Sequence, residues 1–111
     1  MKVHSALGTG LLESVYETCL SYELRRRGFV VLNQLPVPII YGDICIEVGY
    51  RIDLLVNGAV LVEVKAVSKV VPVHEAQLLS YLKLSSHGVG LLINVNVVHL
   101  KDGIKRLVNN F

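Results

Sequence analysis

Two charged residues stand one position apart in an otherwise apolar run, AVLVEVKAV at positions 59–67. Residues two apart on a β-strand project to the same side, so Glu63 and Lys65 share one face with Leu61. A carboxylate and an ammonium placed side by side can bind a cation and stabilise charge on a phosphate. The simpler interpretation is an amphipathic strand whose Glu63 and Lys65 only meet solvent.

A second carboxylate precedes this run, across a turn. The segment ICIEVGYRIDLLV at 44–56 predicts a strand, and Asn57-Gly58 after it predicts a hairpin. A two-residue loop pairs 56 with 59 and places Asp53 and Glu63 on opposite faces. A three-residue loop over 56–58 pairs 53 with 61 and makes the two acids diagonal neighbours on one face. Both turns fit the residues, and the acids converge only with the second.

Two converging carboxylates would form a cation site. Buried like charges disfavour each other's ionised form, and a divalent cation that prefers oxygen ligands removes this repulsion. Mg²⁺ is commonly held by one or two carboxylates, waters and the phosphate oxygens of a substrate. With Lys65 beside the ion, Asp53 and Glu63 would be equipped to hydrolyse a phosphodiester.

The elements that must position these residues follow from hydrophobic periodicity. Residues 10–27 predict a helix that Gly28 ends. Its predicted apolar stripe runs along Leu12, Val15, Cys19 and Tyr22, with Leu11, Leu20 and Leu24 beside it. The segment 29–42 is β-rich but contains prolines, which predicts an edge or bulged strand. The remaining predicted elements are strands at 44–56 and 59–67, a helix at 73–88, a strand at 89–95 and a terminal hairpin turning at Asp102-Gly103.

Composition limits the class of protein. The chain has 111 residues, 52% of them apolar and 18% charged, which predicts one ordered domain over 1–111. No apolar run approaches the ~20 residues that span a bilayer, and no secretion signal is present, so no membrane contact is expected. Two cysteines are too few for a disulfide framework, which favours a cytoplasmic setting. The net charge of +2 permits nucleic-acid binding without arguing for it.

Several motifs in order resemble the PD-(D/E)xK nuclease superfamily. Asp53 is followed on the next strand by Glu63-Val64-Lys65, between two helices. The first helix begins with GLLESVY, which resembles the motif of the GxxExxY family of small bacterial and archaeal proteins in that superfamily. The second helix carries Gln77-x-x-x-Tyr81, similar to the helix of RecB-type nucleases. The resemblance covers nearly the whole chain.

The resemblance implies a fold and a set of roles. The fold is α/β, with a restriction-endonuclease-like αβββαβ core, a mixed sheet flanked by helices, and the C-terminal β-hairpin. Mg²⁺ or Mn²⁺ would be bound by Asp53 and Glu63, with the Val64 carbonyl as a third ligand. Lys65 would be the catalytic lysine. The cleft would be completed by three helix residues: Glu13 approaching the metal, and Gln77 and Tyr81 orienting substrate or water.

Other interpretations stay open for the helix residues. Glu13 also suits a helix N-terminus, Tyr16 and Tyr81 suit a core, and Gln77 suits a buried amide. Relatives carry a fuller helix before the segment that starts at His4, and a homodimer would cover a layer left open there.

The resemblance implies a nuclease acting on DNA, with RNA as the alternative substrate. A second hypothesis is a nuclease-fold protein that binds nucleic acid or a protein without cutting. A third hypothesis is a small dimeric interaction protein whose Glu63 and Lys65 lie on its surface.

Overall fold

The structure of the chain is a computed structural model that describes residues 3, 5, 12–47, 49–97 and 99–109. The described residues form the helices α1 (Glu13–Arg26) and α2 (Pro72–Ser85) and a 3₁₀ turn at Leu100–Gly103. The strands are β1 (Val31–Pro36), β2 (Ile39–Tyr41), β3 (Ile44–Ile46), β4 (Arg51–Val56), β5 (Val60–Lys65), β6 (Val89–Asn94) and β7 (Ile104–Val108). Within this described part, neither helix is long and apolar enough to cross a bilayer.

The strands form a five-stranded sheet in the order β1-β4-β5-β6-β7 and a separate ribbon of β2 with β3. β5 and β6 are parallel, and the other neighbours are antiparallel. A parallel pair needs a crossover connection, which α2 provides. The elements α1, β1, β4, β5, α2 and β6 follow the predicted αβββαβ order. The α/β class, with a mixed sheet flanked by helices, is therefore confirmed.

The predicted strands at 29–42 and 44–56 form one long antiparallel hairpin that is broken near its middle. Its inner part is β1 with β4, and its outer part is the β2–β3 ribbon with a turn at Gly42-Asp43. The break falls at Pro38, which cannot donate to a ladder. A hydrogen bond from the Val37 N–H to the Tyr50 carbonyl, at 2.8 Å, closes the inner part. β1 is an edge strand of the main sheet, as predicted.

The C-terminal β-hairpin is present, and its two strands are β6 and β7. The sequence placed its first arm just before Asp102-Gly103, where the structure has the 3₁₀ turn. Gly103 packs against the Asn94 carbonyl so closely that a Cβ atom would overlap it. This close packing allows the chain to turn back, so that β7 pairs antiparallel with β6.

Two apolar clusters lie on the two sides of the sheet. The cluster on the α1 side contains Tyr16, Leu20, Val31, Leu54, Val62, Val64 and Ile93. The cluster on the α2 side contains Ile52, Leu55, Leu61, Leu78, Tyr81, Leu82 and Leu92. Covering both faces explains why β5 and β6 are apolar almost throughout. It also makes any charge on β5 unusual.

The predicted apolar stripe of α1 is wrong at its two ends, whereas Cys19 and the flanking Leu20 and Leu24 pack in or against the α1-side cluster as expected. Leu12 and Tyr22 are 74% and 61% exposed, whereas Tyr16, Leu20 and Ser21 are buried. Both stripes are apolar enough to pack, so periodicity alone could not choose between them. The observed rotation places Glu13 and Glu17, which share the side of Tyr16 and Leu20, over the sheet. The helix thus directs two carboxylates toward β1 and the end of β5.

One of the two predicted helix ends also differs from the structure. α1 ends as predicted before Gly28, which has φ +92°. α2 ends at Ser85, and Ser86 takes the left-handed conformation at φ +58°. Gly88 was expected to end this helix, but the chain leaves it one turn earlier. The Ser85 hydroxyl instead donates to the Tyr81 carbonyl at 2.6 Å.

Candidate active site

The register of β4 and β5 decides whether the two acids meet. Leu54 pairs with Val62 and Val56 pairs with Val60, so the connecting turn is the three residues 57–59. The loop is odd, as one alternative required, but it lies one residue later, and Val56 is the last residue of β4 and packs against the α1-side cluster. Neither predicted pairing is therefore the observed one. Continuing the observed register places Asp53 opposite Glu63, rather than diagonal to it.

Asp53 and Glu63 lie where the β4–β5 ladder ends. The Asp53 N–H donates to Glu63 Oε1 at 3.1 Å, and the Val64 N–H donates to Asp53 Oδ2 at 2.8 Å. Side-chain oxygens thus take the place of backbone carbonyls as acceptors between the strands. Glu63 is only 5% exposed. The two carboxylates predicted as metal ligands are consequently held in the gap between diverging strands.

A third carboxylate, Glu17 of α1, belongs to the same group. Gln34 Nε2 donates to Glu17 Oε1 and Oε2 at 2.9 and 3.0 Å, and lies 3.3 Å from Asp53 Oδ1. Gln34 has φ +52°, a conformation that non-glycine residues seldom adopt. Sequence analysis missed both residues. The signal available was weak: Glu17 follows Glu13 by four positions, so the two acids share a helical face.

The three carboxylates of Glu17, Asp53 and Glu63 give this group an excess of negative charge. Burial, and then the charge of Asp53, raise the pKa of Glu63 to about 7. Burial, and then the charge of Glu17, also raise the pKa of Asp53, although the hydrogen bond from Val64 opposes this. The positive charge of Lys65 lowers both pKa values without cancelling the increase. The site therefore favours an additional positive charge.

Lys65 lies at the end of β5, two residues beyond Glu63. Its side chain is half-buried, and its carbonyl accepts a hydrogen bond from the Val95 N–H at 2.8 Å. Its influence on Asp53 and Glu63 shows that its charge is near both. Among the described residues it forms no direct ion pair. Its ammonium group is thus close to the acids and not bound to either.

Glu13 and Val64 contact the same strand end through backbone groups. Glu13 Oε1 accepts a hydrogen bond from the Ala66 N–H at 3.0 Å, which ties α1 to the residue after Lys65. The Val64 N–H is bound to Asp53, and the Val64 side chain packs in the α1-side cluster. Glu13 therefore contacts the end of β5, whereas Glu17 is joined to Asp53 through Gln34. Tyr16 is a core residue of α1.

Tyr81 lies on the other side of the sheet, on α2. Burial raises the pKa of its hydroxyl, and the charges of Glu63, Tyr50 and Asp53 raise it further. Its ring centroid is 6.1 Å from that of Tyr50. Gln77, one turn earlier on α2, is half-buried and forms no hydrogen bond with the described residues. Tyr81 is thus near enough to Glu63 and Asp53 for their charges to raise its pKa. Gln77 lies on the same face of α2, and its amide can donate and accept hydrogen bonds.

The donor set can be tested for a divalent cation. In the described part of the chain, no three His, Cys, Asp or Glu side chains are grouped to hold a metal ion by themselves. Asp53 and Glu63 offer two carboxylates, and their raised pKa values reflect charge that a cation would compensate. An ion that keeps several waters and needs one or two carboxylates suits this set. The residues therefore fit Mg²⁺ or Mn²⁺ better than Zn²⁺, which prefers four protein ligands in a structural site.

Comparison with known proteins gives one match. A family model described as the PD-(D/E)XK nuclease superfamily matches residues 1–107. No curated protein and no solved structure was found to match the chain.

Proposed function

We propose a function from one premise: the chain belongs to the PD-(D/E)XK nuclease superfamily. The chain is a metal-dependent nuclease that hydrolyses phosphodiester bonds, and it is of the GxxExxY type through Gly10, Glu13 and Tyr16. The observation that carries this proposal is the exchange of hydrogen bonds between Asp53 on β4 and Glu63-Val64 on β5. It places two acids in one gap and a lysine next to it.

The roles of the residues follow from their positions. Asp53 and Glu63 hold the metal ion, and the Val64 carbonyl is an additional ligand. When bound, Mg²⁺ or Mn²⁺ supplies an activated water and neutralises charge on the phosphate. Lys65 stabilises the negative charge that builds up on the phosphoryl oxygens, because its ammonium group is near the acids and forms no ion pair with the described residues.

The helix residues orient the reactants. Glu13 fixes the backbone just after Lys65. Its carboxylate would approach a bound metal ion through a water molecule. Tyr81 offers a hydroxyl that stays protonated because of its raised pKa, so it can donate to a phosphate oxygen. Gln77, on the same face of α2, can donate beside it. Together they surround the place where a phosphodiester would lie.

The substrate, partners and setting are part of the same proposal. The substrate is DNA, with RNA as the alternative, since two metal-binding acids and a lysine do not distinguish the sugars. Residues 1–111 act as one domain that forms a homodimer. Cys19 and Cys45 are both unpaired thiols, which suits a cytoplasmic setting.

The test is a cleavage assay with the purified chain. Linear duplex, circular duplex and single-stranded DNA, together with single-stranded RNA, are incubated with Mg²⁺ or Mn²⁺ and analysed on gels. Cleavage that requires the ion and is absent in EDTA is expected. Lys65→Ala should lower the rate at least about a hundredfold, by analogy with the loss of one charge-stabilising group.

The matched control is Lys69→Ala, which removes an exposed lysine from the loop after β5. It should leave the rate unchanged. Equal cleavage by wild type and Lys65→Ala would assign the activity to a contaminant. Tight binding of nucleic acid without cleavage, under any ion, would favour the binding protein over the nuclease.

A further inference from the structure

A groove runs along α1, and Gln34 in its lining forms a hydrogen bond with Asp53 of the candidate active site. It lies between α1 and β1 and has a volume of about 530 Å³. Its lining consists of Glu17, Thr18, Ser21, Tyr22 and Arg25 from α1 and Asn33 and Gln34 from β1. All seven side chains carry hydrogen-bonding groups, although carbon atoms contribute most of the exposed surface of the groove. The groove is therefore suited to an extended ligand that has both apolar faces and polar groups.

The inner end of the groove is connected to the acids. Gln34 forms the floor there and binds Glu17 on one side and Asp53 on the other. Its left-handed backbone, φ +52°, turns the side chain into this position at a cost of about 1 kcal/mol or more. Such strain persists where the surrounding structure imposes it, often at functional sites. A ligand in the groove would thus reach the Asp53 carboxylate.

The outer end of the groove presents hydrogen-bond donors. Arg25 Nη2 donates to the Val31 carbonyl at 2.8 Å and to Asn33 Oδ1 at 2.7 Å, and Ser21 Oγ donates to the same Asn33 oxygen at 3.0 Å. These bonds fix the guanidinium while its other two nitrogens bind nothing in the described residues. The Asn33 amide nitrogen likewise forms no hydrogen bond with the described residues. Phosphate oxygens only accept hydrogen bonds, so they complement both groups.

An exposed aromatic ring lies beside these donors. Tyr22 is 61% exposed, and the Arg26 guanidinium carbon is 6.0 Å from its ring centroid. Nucleic-acid bases stack on such rings when they are unpaired, and neighbouring arginines strengthen the contact. Paired bases of a duplex have no free face to offer. The combination of Tyr22, Arg25 and Asn33 therefore matches a single strand.

We propose that the α1–β1 groove binds a single-stranded segment of nucleic acid and leads it to the acids at Asp53. Tyr22 stacks against a base, and Arg25 and Asn33 donate to a backbone phosphate. Glu17 is the acid of the lining, and it lies at the end where a divalent cation would meet the phosphates. Delivery to the acids rests on the proposed nuclease function, whereas binding in the groove does not.

The experiment measures binding in EDTA, where cleavage cannot occur. Fluorescence anisotropy compares a short labelled DNA single strand, the same RNA sequence and the DNA duplex. Tyr22→Ala should weaken binding of the single strand roughly tenfold, consistent with the loss of one stacked base. Tyr22→Phe should keep most of the affinity, because the ring is retained. Duplex binding should be weaker and should not respond to either change.

Tyr41→Ala is the matched control, since Tyr41 is a tyrosine that is 76% exposed on the distant β2–β3 ribbon. It should not alter binding. The proposal is overturned if Tyr22→Ala and Tyr41→Ala behave alike, or if the duplex binds as tightly as the single strand. Tyr22 decides the outcome because its exposed ring contributes little to folding, unlike Arg25.

Two further results separate the hypotheses. If the single strand binds through Tyr22 but no substrate is cut in Mg²⁺ or Mn²⁺, the groove is supported and the nuclease is not. If DNA is cut, and Tyr22→Ala binds and cuts it as well as the wild type does, the nuclease function is supported and binding in the groove is refuted. Comparing the DNA and RNA strands shows which sugar the groove accepts.

Discussion

Asp53 and Glu63 bind the backbone of each other's strands rather than each other. Asp53 Oδ2 accepts from the Val64 N–H, and Glu63 Oε1 accepts from the Asp53 N–H. Each carboxylate is therefore oriented before any ligand arrives. The second oxygen of Glu63 forms no hydrogen bond with the described residues, whereas the second oxygen of Asp53 lies 3.3 Å from Gln34 Nε2. Hydrogen bonds of this kind also reduce the repulsion that two buried acids would otherwise feel.

Divalent cations should stabilise the folded chain through these two acids. Mn²⁺ is expected to raise the melting temperature of the wild type by several degrees, because a ligand that binds only the folded state adds free energy of unfolding. The variant with both Asp53→Asn and Glu63→Gln should show no such increase. Differential scanning fluorimetry in a Mn²⁺ titration measures this. An equal response of both proteins would place ion binding elsewhere.

Without metal, stability should fall as the pH rises through the range set by Glu63. The pKa of Glu63 is about 7 in the folded chain, against an ordinary value of 4.5. Between these values the folded state holds a proton that the unfolded state has released, so the free energy of unfolding decreases with pH. The loss is on the order of 3 kcal/mol at most, and it is complete above about pH 7. Asp53, whose pKa is also raised, adds in the same direction.

Urea unfolding in EDTA at several pH values measures this dependence. Glu63→Gln cannot ionise, so its stability should change less between about pH 5 and about pH 8 than that of the wild type. Other groups titrate in both proteins, and the difference between the two curves isolates Glu63. Parallel curves would show that Glu63 is not protonated in the folded chain.

Gln34 should position Asp53, and its side chain can be separated from its backbone. Gln34→Gly removes the amide that joins Glu17 to Asp53 but accepts φ +52° without strain. We expect stability to stay close to that of the wild type while the cleavage rate falls roughly tenfold to a hundredfold. Gln34→Asn, which tolerates this backbone and keeps a shorter amide, should lie between. Unchanged rates in both variants would leave Gln34 with a structural role only.

Glu13 should act on stability and on metal binding separately. Glu13→Gln keeps an oxygen that can accept from the Ala66 N–H, whereas Glu13→Ala loses it. The alanine variant should be less stable by about 1 kcal/mol, and the glutamine variant should be close to wild type. If Glu13 faces the metal, both variants should need more Mn²⁺ for the same shift in melting temperature. A normal Mn²⁺ response in Glu13→Gln would limit Glu13 to holding the strand.

The sequence predicts the fold well because the order of the elements depends on short-range patterns. Apolar alternation, prolines and the Asn57-Gly58 turn predicted the order of the elements and the edge position of β1. The meeting of Asp53 and Glu63 depended on the length of one turn, which local residues left open. In the structure Val56 pairs with Val60 and packs against the α1-side cluster, so the turn consists of the three residues 57–59.

The remainder of the site depends on how whole elements are oriented. α1 has two apolar stripes, and only contacts with the sheet show that Tyr16 and Leu20 face inward. This rotation is what brings Glu17 to Gln34. The left-handed backbone of Gln34 has no local signal, since neither glycine nor asparagine occupies the position. Residues whose roles come from such long-range geometry cannot be predicted from hydrophobic periodicity.

The three-residue turn between β4 and β5 makes the chemistry of the site sensitive to insertions and deletions. Side chains alternate along a strand, so one extra or missing residue there would reverse every side chain of β5 relative to β4. Glu63 would then point to the opposite side of the sheet from Asp53, while Val62 and Val64 took its place. Only changes by an even number of residues would preserve the pair. Whether the number of residues in this one turn is odd or even, more than their identity, therefore constrains how the chain can diverge and still keep the two acids on one face of the sheet.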